Sequence, residues 1–309
     1  SSENLFSFKL NQKFKIEDLE FNSNINIHDL FLKNDFKLNN IFKINDNDIQ
    51  LSNHDLNLKY NEKELIIDGK GNFLNQEDRI DYVVKKEGEN TKFDITLKVI
   101  QNFFELDFLN YRKNDRSTLI IDINGKKKQK NELNFKKISL TENNNKIIIE
   151  DLLINNSMVK YLKKINLDYE DKENLKNKIS IIKKNNIYKI KGSSFNANRL
   201  IENLLKSNTK SKNLLNGKNR LEIDVNKTYL DKLNVISNLK GYLVLNGNDV
   251  FEANIESKFS KKEEIKFTIK TSADEKITTL FSAKAKPLVN RYDFIKGFDE
   301  GSLDFYSIK

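Results

Sequence analysis

The chain has 309 residues, 54 Lys and Arg against 45 Asp and Glu, a net charge of +9, and no Cys. The lack of Cys excludes disulfides, thiolate nucleophiles and the commonest zinc sites, and no run of 18 apolar residues exists to cross a bilayer. Apolar residues make up 38% and charged residues 32%, so the apolar side chains must be used economically, on one face of each element.

The chain begins in strand phase, with Phe6, Phe8 and Leu10 alternating with polar residues. The opening SSENLFSFKL has no signal-peptide layout and reads as a piece of a longer protein. Alternation continues through Phe14/Ile16, Leu19/Phe21, Ile25/Ile27, Phe36/Leu38 and Leu56/Leu58/Tyr60. Because successive strand side chains point to opposite faces, this pattern makes sheets with one oily and one wet face. Asp68-Gly69 with Gly71 reads as a tight hairpin turn or a bulge. The clearest strand follows, with Phe93, Ile95, Leu97 and Val99 in phase, and then Phe104, Leu106 and Phe108. After Leu119/Ile121/Ile123, Asn124-Gly125 predicts a primed hairpin turn, with Lys126, Lys127 and Lys128 solvated around it. Leu133/Phe135, Ile147/Ile149 and Ile179/Ile181 keep the period of two.

Near residue 190 the rhythm weakens, which divides the chain into segments 1–190 and 191–309. Asn198 is a candidate N-cap for a short amphipathic helix over 198–206, with Leu200, Ile201, Leu204 and Leu205 on one face. Strand phase resumes with Leu221, Ile223 and Val225, turns predicted at Asn216-Gly217 and Asn246-Gly247, and Ile265, Phe267 and Ile269. A second helix is predicted over 287–295, opened by Pro287 and carrying Leu288, Tyr292 and Ile295 on one side. Roughly twenty strands of ordinary length fit this chain, and successive hairpins imply an antiparallel meander.

Few residues offer chemistry. His28 and His54, beside Asp29 and Asp55, read as surface histidines without the further ligands or nucleophile that a metal site or triad needs. The DGKG at 68–71 lacks the GK[ST] ending of a phosphate loop. Carboxylate spacing gives no support for a glycosidase pair. Single-strand nucleic-acid binders expose aromatics on a basic face, whereas here Phe shares the apolar phase with Ile and Leu and Lys takes the other, so no nucleic acid is expected. No catalytic residue, metal or cofactor is assigned. What remains is burial. Such a sheet closes as a barrel, pairs as a sandwich, coils as a solenoid, or stays an open trough covered by lipid acyl chains at roughly 0.8 kcal/mol per buried methylene. Periodicity alone does not choose between these.

Two irregular stretches carry a resemblance. GSSFNANRLIENLLK, Gly192 to Lys206, is similar to the strand-then-helix motif of AsmA-like proteins, in particular the YhdP branch. FSAKAKPLVNRYDFIKGFDEGSLDFY, Phe281 to Tyr306, resembles the segment of that family in which a strand enters a short helix, passes a Tyr-Asp and a glycine turn, and returns as a strand. About 40 residues match directly; Asn196, Lys286-Pro287 and Glu300-Gly301 depart from the family pattern. The resemblance implies an all-β fold with two or three short helices, an elongated, curled antiparallel β-sheet forming a hydrophobic groove. It also implies the periplasmic part of an inner-membrane-anchored, bridge-like lipid-transfer protein in a Gram-negative-type cell, implicated in moving phospholipid towards the outer membrane. The expected partners are then phospholipid acyl chains, membranes reached through parts outside this chain, and other envelope proteins. The expected groove lining is Phe93, Ile95, Leu97, Val99, Phe104, Leu106, Phe108, Leu221, Ile223, Val225, Ile265, Phe267 and Ile269, each of which reads equally as a dry core position. The alternative from another class is a secreted or surface structural β-protein, a solenoid or adhesin stalk with a closed core.

Overall fold

The computed structural model describes residues 1–33, 38–44, 48–128, 131–156, 158–200, 218–247, 249–272, 275–292 and 300–309. The chain divides into two compact units, Ser1–Ser157 and Met158–Lys309. The region near residue 190, where the sequence rhythm weakens, lies inside the second unit and leads into a crossover connection.

In the first unit, nine long strands pair in the order β1 (Ser2–Leu10), β2 (Ile16–Lys33), β3 (Asp48–Asn61), β4 (Glu64–Phe73), β5 (Arg79–Glu87), β6 (Asn90–Val99), β9 (Leu119–Lys128), β10 (Glu132–Glu142) and β11 (Asn145–Asn155). Every one of these pairings is antiparallel, and among the described residues none joins β1 to β11, so the sheet is open. Two inserts interrupt the meander. One carries the single-turn helix α1 (Asn39–Phe42) between β2 and β3; the other carries the ribbon β7 (Glu105–Leu106), a 3-10 turn (Asp107–Leu109) and β8 (Tyr111–Arg112) between β6 and β9. Leu38, expected in a strand with Phe36, instead begins α1, and Phe36 lies outside the described residues.

The second unit repeats the plan with β12 (Met158–Glu170), β13 (Lys176–Lys184), β14 (Ile187–Asn196), β15 (Lys218–Tyr229), β16 (Val235–Asn246), β17 (Asp249–Lys258), β18 (Glu264–Thr271), β19 (Lys276–Ser282) and β20 (Leu303–Ile308) paired in chain order. The one parallel pairing, β14 with β15, requires the long crossover that the predicted helix over 198–206 occupies. Residues 198–200 of it are helical and 201–206 lie outside the described residues, as does Asn216-Gly217. The second predicted helix is present as α2 (Lys286–Tyr292), with Pro287 in its first turn; 293–295 lie outside the described residues. The fold is all-β with short helices, antiparallel in its pairings but for one. No described helix is long and apolar enough to cross a membrane.

Two glycine turns predicted from sequence are corrected. Asp68-Gly69 lies inside β4 and Asn124-Gly125 inside β9, while Lys126, Lys127 and Lys128 finish β9 as strand. These glycines serve packing across the sheet. A Cβ on Gly69 would meet the Tyr82 ring, one on Gly71 the His54 ring, and one on Gly125 would stand 2.9 Å from the Phe93 ring. Asn246-Gly247 does turn the chain between β16 and β17, with Gly247 at φ 62.

Candidate functional site

The site is built from the pleat. Registers place Leu58, Ile67, Val84, Phe93, Gly125, Phe135 and Leu152 side by side across the first unit. The neighbouring row runs through Ile25, Leu56, Gly69, Tyr82, Ile95, Ile123, Ile138 and Ile149. Oily positions thus form continuous rows across the strands, since paired strands present in-register side chains on one face. In the second unit the matching row is Ile181, Ile190, Ile223, Gly241, Ile255, Phe267, Leu280 and Phe305.

Along a strand, alternation would flip faces wherever the apolar spacing changes from two to three. Bulges absorb the change. In β3, Asn53 takes φ 45 where the buried phase passes from Leu51 to His54. Asn238 takes φ 53 in β16 between Ile236 and Leu239, and Asp151 takes φ 50 in β11 between Ile149 and Leu152. Asn and Asp tolerate the left-handed region better than other side-chain-bearing residues, so the oily face stays continuous through each irregularity.

One end of each apolar face is sealed. In the first unit Phe42 of α1 packs edge-on against Phe73 and Phe104, each pair with ring centroids 5.4 Å apart, and Phe104 meets Tyr111 at 6.3 Å. Val99 and Leu119 beneath have no exposed surface. Two buried carboxylates hold this plug. Asp78 accepts hydrogen bonds from the backbone N–H groups of Ile100 at 2.7 Å, Gln101 at 2.8 Å and Asn102 at 3.2 Å. Glu142 accepts from the Tyr111 hydroxyl at 2.6 Å, the Asn114 N–H at 2.6 Å and the Ser117 hydroxyl. Burial and the neighbouring carboxylate push the Tyr111 phenol far up, so it stays a protonated donor. In the second unit α2 seals the end through Leu288, which packs with Leu230, Ile236 and Ile265. Asn196, where the resembled family usually has Asp, donates to the buried Asp171 at 2.7 Å within this polar framework.

Away from the plug the rows of the first unit are only half-buried, whereas in the second unit Tyr188, Ala253 and Ile269 stay buried beyond the half-buried row. Phe93, Ile95, Leu97, Leu221, Ile223 and Phe267 are all partly exposed, while Val99, Val225, Ile265 and Ile269 are buried. In β18 the buried Ile265 and Ile269 flank the partly exposed Phe267, so burial of the expected lining does not follow distance from the plug alone. Phe104, Leu106 and Phe108 are corrected. They do not continue a long strand of the sheet: Phe104 is buried in the aromatic cluster of the plug, Leu106 lies in the ribbon and Phe108 is 66% exposed on the 3-10 turn. Their alternation came from a short ribbon and a turn, which copy the period of two over five residues.

His54 is also corrected. Far from the surface, it is 1% exposed in the apolar phase, its ring filling the space over Gly71 and its Nε2 3.1 Å from the Tyr82 hydroxyl. Desolvation lowers its pKa, favouring the neutral ring. His28 stands out in solvent, its side chain 89% exposed. Sequence reasoning missed this buried pair; the signal was the two glycines two residues apart, opposite ring-bearing positions.

No protein-family model, curated protein or solved structure matches the chain. Its own geometry defines the class, an all-β protein of almost wholly antiparallel sheet whose apolar rows are buried at the plugs and half-buried along Ile95, Ile123, Ile223 and Phe267.

Proposed function

We propose that the chain is a segment of a periplasmic, bridge-like lipid-transport protein of AsmA-like type, YhdP branch, whose apolar face shields phospholipid acyl chains between inner and outer membranes. The carrying observation is the half-buried row through Ile95 and Ile123 in the first unit and through Ile223 and Phe267 in the second. Hydrocarbon laid on that row removes apolar surface from water with no directional requirement, so the site tolerates a range of chain lengths. No residue is asked to make or break a bond, and no metal or cofactor takes part. The partners are phospholipid, the membranes reached through parts outside this chain, and other envelope proteins.

The test is lipid extraction and native mass spectrometry of the protein purified from a Gram-negative host. Stoichiometric phospholipid of mixed chain length supports the conduit; a lipid-free protein argues against it. A second reading, a structural β-protein with a closed core, draws on the fully buried ends at Val99, Leu119 and Val289. It requires the half-buried rows to be covered by protein.

A further inference from the structure

Among the described residues β1 pairs with β2 alone, and it is exposed along its whole length, Leu5 by 74% and Phe6 by 68%. The backbone groups on its outer edge follow from the ladder on its inner one. The Asn26 N–H donates to the Ser1 carbonyl at 2.9 Å and the Ser1 amine to the Asn26 carbonyl at 3.2 Å; at the far end the Asn11 N–H donates to the Lys15 carbonyl at 3.1 Å. Bonded and unbonded positions alternate in an antiparallel pair, so the odd residues of β1 bond inwards while Ser2, Asn4, Phe6, Phe8 and Leu10 turn their N–H and C=O groups outwards. The register shift between Ser7 and Lys9 leaves this series intact, because the extra residue belongs to β2, where Asp18 takes φ 53. Proline, unmatched charge or a bulge on the outer side would blunt such an edge. β1 has no proline, and its only charges are Glu3 and Lys9, the latter also meeting Asp18 at 2.7 Å.

The strand is complementary to itself. Turned antiparallel about Phe6, two copies of β1 set Phe6 against Phe6, Asn4 against Phe8 and Ser2 against Leu10, all of them outward-bonding positions. Between these pairs Leu5 meets Ser7 and Glu3 meets Lys9. Every residue of the strand is then paired, opposite charges face each other on both sides of the axis, and an aromatic pair sits on it. Centring on Leu5 or on Ser7 instead leaves one end unpaired and sets Glu3 against Ser7 or Lys9 against Leu5. β20, which likewise has one described partner, is shorter and lacks this match. Lys309 exchanges bonds with Lys276, so Asp304, Tyr306 and Ile308 face outwards, and pairing about Tyr306 sets Asp304 against Ile308.

We propose that β1 is a dimerisation edge whose partner is β1 of a second copy of this chain. The two-fold axis stands normal to the sheet, so both copies keep the oily face on one side and the row through Phe6, Phe21, Tyr60 and Leu65 runs into its counterpart. Such a self-complementary contact is closed and stops at two chains. It rests on the edge alone and does not depend on the acyl-chain reading.

Sedimentation velocity of the purified chain is expected to show the mass rising with concentration from one chain to two and no further. Phe6→Pro removes the outward N–H on the axis and spares the inward bonds of β1, a position that proline tolerates at a sheet edge; with an unchanged melting midpoint it is expected to remain monomeric over the same range. Because the chain has no Cys, single cysteines report the register. A bonded pair holds its Cα atoms about 5.5 Å apart, within reach of a disulfide. Phe6→Cys oxidised with diamide is therefore expected to give a covalent dimer, and Asn4→Cys, which lies opposite Phe8, is not. If Phe6→Pro fails to fold, the two cysteine variants decide. A wild type that stays monomeric, assemblies larger than two such as β1 meeting β20 would build, a folded Phe6→Pro that dimerises as before, or a covalent dimer from Asn4→Cys in place of Phe6→Cys overturns the proposal. Lipid extraction reads the acyl-chain proposal separately, so either fails without the other.

Discussion

His54 and its partners show how single positions tune the apolar face. The ring is neutral because burial disfavours its charged form. The unfolded chain therefore takes up a proton near the ordinary histidine value of 6.5 while the folded chain does not. By linkage, stability is complete above that value and falls as pH drops below it, towards the lowered folded value. Chemical denaturation at pH 7.5 and 5.5 is expected to show a lower midpoint at the acidic pH, and the His54→Gln variant is expected to lose most of that difference. Gly71 makes the burial possible. A Cβ there would stand 2.8 Å from the His54 Cα as well as against its ring, so Gly71→Ala is expected to cost about 1–3 kcal/mol through overpacking. A thermal or denaturant melt checks this, and an unchanged midpoint would mean that the neighbouring strand yields freely. Gly241 carries the same lesson in the second unit, since its φ of 137 and the closeness of the Asn254 carbonyl both refuse a side chain.

At the scale of elements, the plug of the first unit is hung on carboxylates. Replacing Asp78 by Ala leaves three backbone donors without their acceptor, each such loss costing about 1–3 kcal/mol when the group stays buried. The expected outcome for Asp78→Ala is rapid hydrogen exchange over residues 100–118 with protection retained in β4, β5 and β6; uniform loss of protection would mean that the plug and sheet melt as one. The bulges make a second case. Asn53→Val places a β-branched residue at φ 45, a conformation disfavoured for L-residues by about 1–2 kcal/mol, so it is expected to lower the melting temperature whereas Asn53→Gly is tolerated. Most strands were legible because alternation such as Phe93, Ile95, Leu97 or Leu221, Ile223, Val225 is set by the pleat itself. The places of Phe104, Leu106 and Phe108 were not, because a two-residue ribbon and a strand share the same short period. Asn124-Gly125 was misleading for the opposite reason, since a turn dipeptide also suits a strand where Phe93 and the Asn134 carbonyl leave no room for a side chain. The polar halves of the plug, Asp78 and Glu142, gave no local signal. Their partners lie more than twenty residues away in sequence.

For the molecule as a whole, economy of apolar residues and openness of the sheets are two sides of one fact. A net charge of +9 and 32% charged residues leave one oily face per unit, buried at its plug and half-buried along the rows through Ile95 and Phe267. Periodicity could place Ile95 and Phe267 on that face but not say what covers them, because a covering layer leaves no trace in the alternation of the covered strand. The most direct test puts a photoreactive benzoylphenylalanine at Ile95 or Phe267, with Thr96 and Lys266 on the wet face as controls, and irradiates the chain in a Gram-negative cell. The account predicts phospholipid adducts at Ile95 and Phe267 and none at Thr96 or Lys266. Adducts to protein alone at the oily positions, or equal lipid labelling on both faces, would contradict it.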